Sequence, residues 1–329
     1  MIDWEQSKEA HSVTNGLAII IPAFKGAFLM EALESIANQT SKNFVLYVGD
    51  DASPEDILSI CHLYADRIDL RYTRFHENLG RIDLVKHWNR CVELSREPWV
   101  WLFSDDDIMD SGCIAAVLKA INSDNGRFDL YHFDVQEINA NGQVTRPPVP
   151  FPEVISSLEF AMARCRHQLF SYAPDYVFLR SALKGVGSFQ SFPLAWCADD
   201  ATWIKVGRRG GIRTLQGPKV HWRKSGQNIT SQRPELAQQK LAAASQYVGW
   251  LGSYLLNYPP ERNEVRLSEI RRWALEWLRA HQCHLGVTFL PGIWFLSGWH
   301  LRKIARYGAI EGWLLILYWD LRFIFQRWR

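Results

Sequence analysis

The chain has 329 residues, 47% of them apolar and 22% charged, which is ordinary globular usage at a length suited to about two domains. This excludes whole-chain disorder, collagen and coiled coil, and 37 Lys+Arg against 35 Asp+Glu leaves a net charge of +2 that makes no case for nucleic acid. Six cysteines (61, 91, 113, 165, 197 and 283) form no C-x-x-C pair, so neither a zinc knuckle nor a disulfide framework is indicated and a reducing cytosol fits best.

The opening MIDWEQSKEA carries no apolar run and reads as neither signal nor transit peptide. LAIII (17–21) predicts a buried strand stopped by Pro22. Phe28, Leu29, Ala32, Leu33 and Ile36 lie at helical spacing. FVLYVG (44–49) predicts a second strand, then a helix over 55–65 with Ser53 as N-cap and Pro54 at its first position. IDLRYT (68–73) is a third strand, 81–95 a helix, WVWLF (99–103) a fourth strand, and another helix starts near 112. DLYHFDVQEI (129–138) followed by Asn141-Gly142 predicts a strand entering a hairpin. From about 155 the pattern is helical and irregular, and from 234 almost wholly helical. The β/α alternation with short connections argues for an α/β fold with a mostly parallel central sheet.

In such a sheet, ligands bind beyond the C-terminal strand ends. Two acidic clusters fall there, Asp50-Asp51 after the second strand and Asp105-Asp106-Asp107 after the fourth. Three consecutive carboxylates repel one another unless solvated or neutralised, and a hard divalent cation is the usual neutraliser. A solvated loop with one Asp capping the next helix is the other reading. No G-x-x-x-x-G-K loop, no G-x-G-x-x-G after the first strand and no G-x-S-x-G occur. ATPase, ordinary dehydrogenase and α/β-hydrolase readings lose their best signals.

Five segments in order, Ile19-Ile20-Ile21-Pro22-Ala23-Phe24, Ser35-Ile36-Ala37-Asn38-Gln39-Thr40, Asp50-Asp51-Ala52-Ser53, Asn78-Leu79-Gly80 and Ser104-Asp105-Asp106-Asp107, resemble glycosyltransferase family 2. The later Phe192-Pro193-Leu194-Ala195-Trp196-Cys197-Ala198-Asp199-Asp200-Ala201-Thr202-Trp203 resembles the acceptor-side acidic motif of bacterial members, nearest to those building O-antigen and capsular polysaccharide. Many relatives have an Ala-x-Ala-Arg-Asn-like helix after Asn-x-Gly; here residues 81–90 end Trp88-Asn89-Arg90, with Trp88 where the arginine stands.

The resemblance implies the GT-A fold and inverting transfer of a hexosyl or deoxyhexosyl group from a UDP- or dTDP-linked donor to a saccharide acceptor. Pro22, Ala23, Phe24, Asp51, Asn78, Gly80, Arg81, Lys86 and Asp105 would contact the donor, Asp51 at the nucleobase and Asp105 near the ribose. Asp106, Asp107 and His221 would lie on the side of a Mg²⁺ or Mn²⁺ cofactor, and Arg223 and Lys224 could neutralise leaving-group charge. Asp200 matches the general base, with Asp199 as its neighbour; read without the resemblance, the two acids cap a helix over 201–208.

Residues 262–329 carry 11 Lys/Arg, 5 Asp/Glu and 7 of the 15 tryptophans. Residues 280–301 hold no formally charged side chain, but Pro291 and Gly286, Gly292 and Gly298 make them a poor membrane span. Tryptophan and arginine beside short apolar runs suit a headgroup interface. The expected division is a catalytic domain over 1–233 and a helical region over 234–329. That region would attach peripherally at the cytoplasmic face of the inner membrane, in keeping with a polyprenyl-linked acceptor; a helical subdomain packed on the core is the plainer reading. Two rival functions stand beside the enzyme: a nucleotidylyltransferase, whose Gly- and Arg-rich loop PAFKGAF does not supply, and a non-catalytic scaffold binding polysaccharide or membrane.

Overall fold

The computed structural model describes residues 16–226, 228–230 and 234–256. The expectations for the tail beyond 256, including its membrane-facing tryptophans and arginines, lie outside the described residues. In chain order the elements are β1 (Leu17–Ala23), α1 (Leu29–Ala37), β2 (Phe44–Asp50), α2 (Ile57–His62), β3 (Leu70–Arg74), α3 (Leu84–Val92), β4 (Trp99–Leu102), β5 (Ile108–Met109) and α4 (Cys113–Ser123). They continue with β6 (Leu130–Asn139), β7 (Val144–Arg146), β8 (Val154–Ile155), α5 (Ser157–Cys165), β9 (Tyr176–Leu179), α6 (Arg180–Gly185), α7 (Ala198–Val206), β10 (Ile212–Lys224) and α8 (Ala237–Leu256).

One mixed, mostly parallel sheet runs β3-β2-β1-β4-β9-β6-β10-β5, with β7 on β6 and β8 on β10. The β3-β2-β1-β4 half is entirely parallel, as the β/α alternation requires. Strand β9 lies antiparallel to both β4 and β6, and β10 then returns parallel to β6. Both faces of the sheet are covered. Leu17, Ile19 and Ile21 pack in one apolar cluster with α1 and α4, while Ala18 and Ile20 belong to the other with α3, α5, α7 and α8, the period-2 alternation of a strand buried on both sides.

Local differences from the sequence expectations have local causes. Pro22 does not stop β1, which continues to Ala23 paired with Asp50. Because β4 pairs only with residues 17–20, Pro22 lies where β1 has one partner strand, and a missing N–H is tolerated there. The second helix starts at Ile57 and is capped by Asp56, which accepts from Ser59 N at 3.1 Å. Ser53, the expected cap, instead donates to Phe24 O at 2.6 Å, tying the end of β2 to the end of β1. The hairpin after β6 forms where Asn141-Gly142 predicts it, with Gly142 at φ +75° and Asn139 Oδ1 accepting from Asn141 N and Gln143 N. Within the irregular stretch after 155, β9 and the start of β10 carry no clear alternation because both are interior strands.

The C-terminal end of β10 is fastened by Arg223. Its side chain is wholly buried, so it is a structural rivet rather than the loop cation its sequence position suggests. The guanidinium donates to Asp106 O (2.8 Å), Ala140 O (3.0 Å) and Glu31 Oε2 (2.6 Å), and it lies over the Phe28 ring. Its backbone N donates to Asp107 Oδ1 at 2.7 Å. One side chain thus joins the acidic loop, the β6–β7 hairpin and α1. Helix α8 packs its Ala243, Ala244, Tyr247, Val248 and Leu251 into the cluster shared with α3, α5 and α7, so this helix, which starts just after the expected domain boundary, packs on the body of the protein.

Removing a buried, hydrogen-bonded cation strands several acceptors at once. Arg223→Met is expected to lower unfolding stability by about 3 kcal/mol or more, measured by urea denaturation; a loss below about 1 kcal/mol would show that the rivet is dispensable.

Candidate active site

A cavity of about 640 Å³ opens beyond the C-terminal ends of β1, β2 and β4. One wall comes from Pro22 and Phe24 after β1, Asp51 after β2, the 78–81 turn, and Leu84, His87 and Trp88 of α3. The floor holds Ser104, Asp105 and Asp106. Arg164 of α5, residues 170–174, the turn 194–197, Asp199, Asp200, Trp222 and residues 228–230 close the remainder.

Asp51 shapes the first wall from within. Its Oδ1 accepts from Leu79 N (2.9 Å) and its Oδ2 from Gly80 N (2.8 Å). Arg90 of α3 also donates to Asp51, and its Nε reaches His87 Nδ1 at 3.0 Å. Asn78 closes the turn by accepting from Arg81 N. Gly80 has to be glycine, since a Cβ there would stand 2.6 Å from Asp51 Oδ2. Burial, partly opposed by the nearby Asp51, pushes His87 down to about 4, so it presents a neutral ring.

The three acids after β4 have separate fates. Asp105 Oδ2 accepts from Phe24 N and Lys25 N, both at 3.0 Å, stitching β4 to the loop after β1; burial still raises its pKa. Asp106 lines the cavity and accepts from Asn228 Nδ2 at 3.1 Å. Burial first, and then the Asp105 charge, lift Asp106 to about 7, against the pull of Lys25, Arg223 and Asn228. Asp107 is fully buried and does not line the cavity: Oδ1 accepts from Arg223 N and Oδ2 has no hydrogen-bond partner. Burial and then Asp106 hold its pKa well above the carboxylate range.

Asp199 and Asp200 sit in the first turn of α7, inside the helix rather than capping it; Cys197 is the N-cap and supplies no side-chain hydrogen bond. Arg164 Nε donates to Asp200 Oδ1 (2.9 Å) and Nη2 to Oδ2 (2.9 Å), a bidentate pair in which Asp200 is almost wholly buried. Burial disfavours the Arg164 cation, but the Asp200 charge outweighs it and its pKa rises. Asp199 lines the cavity and, among the described residues, accepts no hydrogen bond from another side chain. Burial, then the neighbouring Asp200 charge, push Asp199 up to about 7, with Arg164 opposing. The turn before it holds Leu194, Ala195 and Cys197 at positive φ, a conformation that costs side-chain-bearing residues of order 1 kcal/mol each and persists when its surroundings enforce it. Phe192, packed edge-on against Tyr247 and Trp250 of α8, supplies that support.

The structure therefore brings Pro22, Phe24, Asp51, Asn78, Gly80, Arg81, Asp105, Asp106, Asp199 and Asp200 to one cavity. It leaves out four expected residues. Ala23 is buried beneath the loop. Lys86 points outward beside Asp83 at 3.7 Å. Asp107 turns into the protein. His221 is directed to Asp110, Nε2 to Oδ1 at 2.8 Å: neighbouring strand residues face opposite ways, and it is Trp222 that faces the cavity. On α3, Trp88 lines the cavity while Asn89 Oδ1 accepts from Phe189 N and is turned inward. Sequence reasoning missed Arg164, which lies 36 residues from its partner in an unremarkable helix, and the Tyr172/Trp222 stack at 4.2 Å. Neither has a local signature.

Among the described residues no three His, Cys, Asp or Glu side chains converge as a ready-made cation site. The donor chemistry nonetheless fits Mg²⁺ or Mn²⁺ in a limited way. Asp106 offers a cavity-facing carboxylate that burial disfavours as a bare anion, and Mg²⁺ is commonly bound through one or two carboxylates plus substrate phosphates.

Residues 18–183 match the family model described as glycosyl transferase family 2. An uncharacterized glycosyltransferase of Rickettsia bellii is 23% identical over 272 residues, covering 77% of this chain and 36% of that protein. The GalNAc(5)-diNAcBac-PP-undecaprenol beta-1,3-glucosyltransferase of Campylobacter jejuni is 24% identical over 193 residues, 58% of this chain and 59% of that one. A PGL/p-HBAD biosynthesis glycosyltransferase of Mycobacterium tuberculosis is 31% identical over 121 residues, 36% of this chain and 46% of that one. The chain thus spans between about a third and three fifths of the length of these relatives. In solved structures the fold is shared with S. aureus TarS 1–349 in complex with UDP-GlcNAc (TM-score 0.65, 16% identity, 88% of this chain, 82% of that). It is also shared with the mannosyltransferase PcManGT of Pyrobaculum calidifontis in complex with GDP-Man and Mn²⁺ (TM-score 0.52, 14% identity, 95% of this chain, 89% of that). The family match spans half the chain, and the GT-A-type sheet, the strand-end acids and the shared cavity agree with it: the chain belongs to glycosyl transferase family 2.

Proposed function

We propose that the protein is an inverting glycosyltransferase that moves a hexosyl or deoxyhexosyl group from a UDP- or dTDP-linked donor to a saccharide acceptor carried on a polyprenyl lipid, in the assembly of O-antigen or capsular polysaccharide. One observation carries this reading. A single cavity joins a nucleoside-sized wall at the ends of β1 and β2, a carboxylate floor at the end of β4, and a second acidic pair on α7. A donor and an acceptor meet only where such groups share one space. The activities of the Campylobacter jejuni and Mycobacterium tuberculosis relatives, and the nucleotide sugars bound by TarS and PcManGT, point the same way.

In this reading Pro22, Phe24 and the Asp51-held turn at 78–81 seat the nucleoside. Arg81, which lines the cavity at the exposed end of that turn, faces the diphosphate. Asp106 would hold a divalent cation, with Asp105 beside it, and a cation there supplies Lewis-acid stabilisation of the charge that develops on the departing diphosphate. The acidic pair on α7 serves the acceptor, whose hydroxyl loses its proton as it attacks the anomeric carbon. Apolar side chains around the floor, Leu102 and Phe103 among them, exclude water that would otherwise hydrolyse the donor.

The direct test is a panel of nucleotide sugars screened by thermal shift with and without Mn²⁺. UDP- or dTDP-sugars should raise Tm and Mn²⁺ should increase the shift; a panel without any stabilising member counts against a donor site. Asp106→Ala should abolish the Mn²⁺-dependent part of donor affinity in calorimetry, because a hard cation loses its carboxylate. Unchanged Mn²⁺-dependent affinity would mean that Asp106 is not the ligand.

The reading places the enzyme at the cytoplasmic membrane face through its basic, tryptophan-rich tail, each Lys or Arg near an anionic surface contributing about 1 kcal/mol. Among the described residues no helix is long and apolar enough to cross a membrane. Purified full-length protein should float with anionic liposomes, less at high salt but not to zero, because the apolar contribution is unscreened. A chain truncated near 284 that floats equally well would assign attachment elsewhere.

A further inference from the structure

Residues 170–174 and Trp222 give the cavity a partly aromatic wall. The geometry points to the Tyr172/Trp222 stack as the platform for the sugar ring of an uncharged acceptor, with Arg146, outside the cavity, as the residue that positions it. The inference rests on the glycosyltransferase reading and names the chemistry of the acceptor that such an enzyme takes.

Shape comes first. Tyr172 and Trp222 both line the cavity and lie nearly parallel, 13° apart with ring centroids at 4.2 Å. Trp222 is buried and Tyr172 half-buried, so Tyr172 is the more accessible ring and Trp222 its backing. Phe170 and Trp196 add aromatic surface to the same cavity. A pyranose has hydroxyls around its edge and C–H groups on its faces. Laying one face on an aromatic ring removes apolar surface from water and leaves the hydroxyls free for hydrogen bonds.

The platform is built before a ligand arrives. Arg146, at the end of β7, donates from Nη2 to Tyr172 Oη at 2.7 Å and to Glu137 Oε2 at 2.8 Å. Its guanidinium carbon lies 3.8 Å from the centroid of the Phe170 ring, a cation–π contact. One side chain behind the wall therefore holds two rings that line it. The loop is tied down further by Asp175 Oδ2, which accepts from Tyr172 N at 2.8 Å, and by Pro174 O, which accepts from Trp101 Nε1 at 2.7 Å. A surface fixed in advance loses little freedom on binding.

Charge decides the class of sugar. Among the described residues that line the cavity beyond the donor wall and the floor, the charged groups are Arg164, Asp199 and Asp200. Arg164 is committed to Asp200 and to Leu169 O. A uronic acid would bring its carboxylate toward two acids whose neighbouring cation is already engaged, and like charges repel strongly where water is scarce. A neutral hexose or deoxyhexose meets no such repulsion.

The test uses the full chain and two matched pairs of probes: methyl β-glucoside with methyl β-glucuronide, and methyl β-galactoside with methyl β-galacturonide. Binding is read by saturation-transfer NMR at neutral pH, and the unfolding temperature is recorded for every variant. At least one neutral glycoside should bind, with transfer strongest at its ring C–H protons, and its acid partner should bind about tenfold more weakly or not at all. Tyr172→Ala should weaken the neutral glycoside about tenfold. Tyr172→Leu, which keeps apolar volume without an aromatic face, should do the same and serves if the alanine variant fails to fold. Arg146→Met should weaken it about fivefold, yet only about twofold further when Tyr172 is already leucine, because it acts through that ring. The affinity of Arg146→Met for UDP or dTDP, read by calorimetry, should stay within about twofold of the wild type, which a general loss of structure would not allow. The inference is overturned if neither neutral glycoside binds, if an acid binds as tightly as its neutral partner, if Tyr172→Leu keeps wild-type affinity, or if the Arg146→Met loss is undiminished beside Tyr172→Leu. A wild-type chain that binds neither UDP nor dTDP would instead overturn the function on which it rests.

Discussion

Five aspartates line one cavity, and a buried carboxylate is costly unless something holds its charge. That constraint organises the molecule. Asp51 is held by two backbone N–H groups and Arg90, Asp105 by two backbone N–H groups of the neighbouring loop, and Asp200 by the fork of Arg164. Each of these attachments also builds the site, fixing in turn the 78–81 turn, the loop after β1 and the start of α7. Two carboxylates are left with little: Asp106, with one amide from Asn228, and Asp199. They are the two that burial and a like-charged neighbour lift to about 7. The groups free for chemistry are those the fold does not use to hold itself together.

The supporting frame follows from the same logic. The acidic loop departs from β4 and must be fixed without covering its cavity-facing side. Arg223 does this from behind, through the carbonyl of Asp106 and the carboxylate of Asp107. On the far wall the left-handed turn before Asp199 is stabilised by aromatic packing from α8. That helix is therefore part of the catalytic body whatever the remainder of the tail does.

Much of this was legible in the chain. The parallel half of the sheet follows from continuous apolar runs such as 17–21 and from helix-period spacing between them, and the Asn141-Gly142 hairpin from its turn chemistry. The acids stand where strand-end logic puts them. What sequence could not provide was direction. Asp106 and Asp107 are adjacent yet face the cavity and the interior respectively, because the backbone N–H of Arg223 in β10, more than a hundred residues away, claims one of them. His221 and Trp222 divide likewise across the sheet, and a histidine read as a metal-side residue proves to meet Asp110. Arg164 shows the same limit: nothing near it in the chain marks it as the partner of Asp200.

The account's central claim, that Asp106 and Asp199 are the two cavity carboxylates with the fewest groups holding their charge, is open to one direct measurement. Carboxyl ¹³C chemical shifts of aspartate-labelled, ligand-free protein can be followed from pH 4 to 9, with Asp106→Asn and Asp199→Asn assigning the two signals. The account predicts a midpoint near 7 for each. Asp106 and Asp199 signals both already ionised at pH 5 would contradict it.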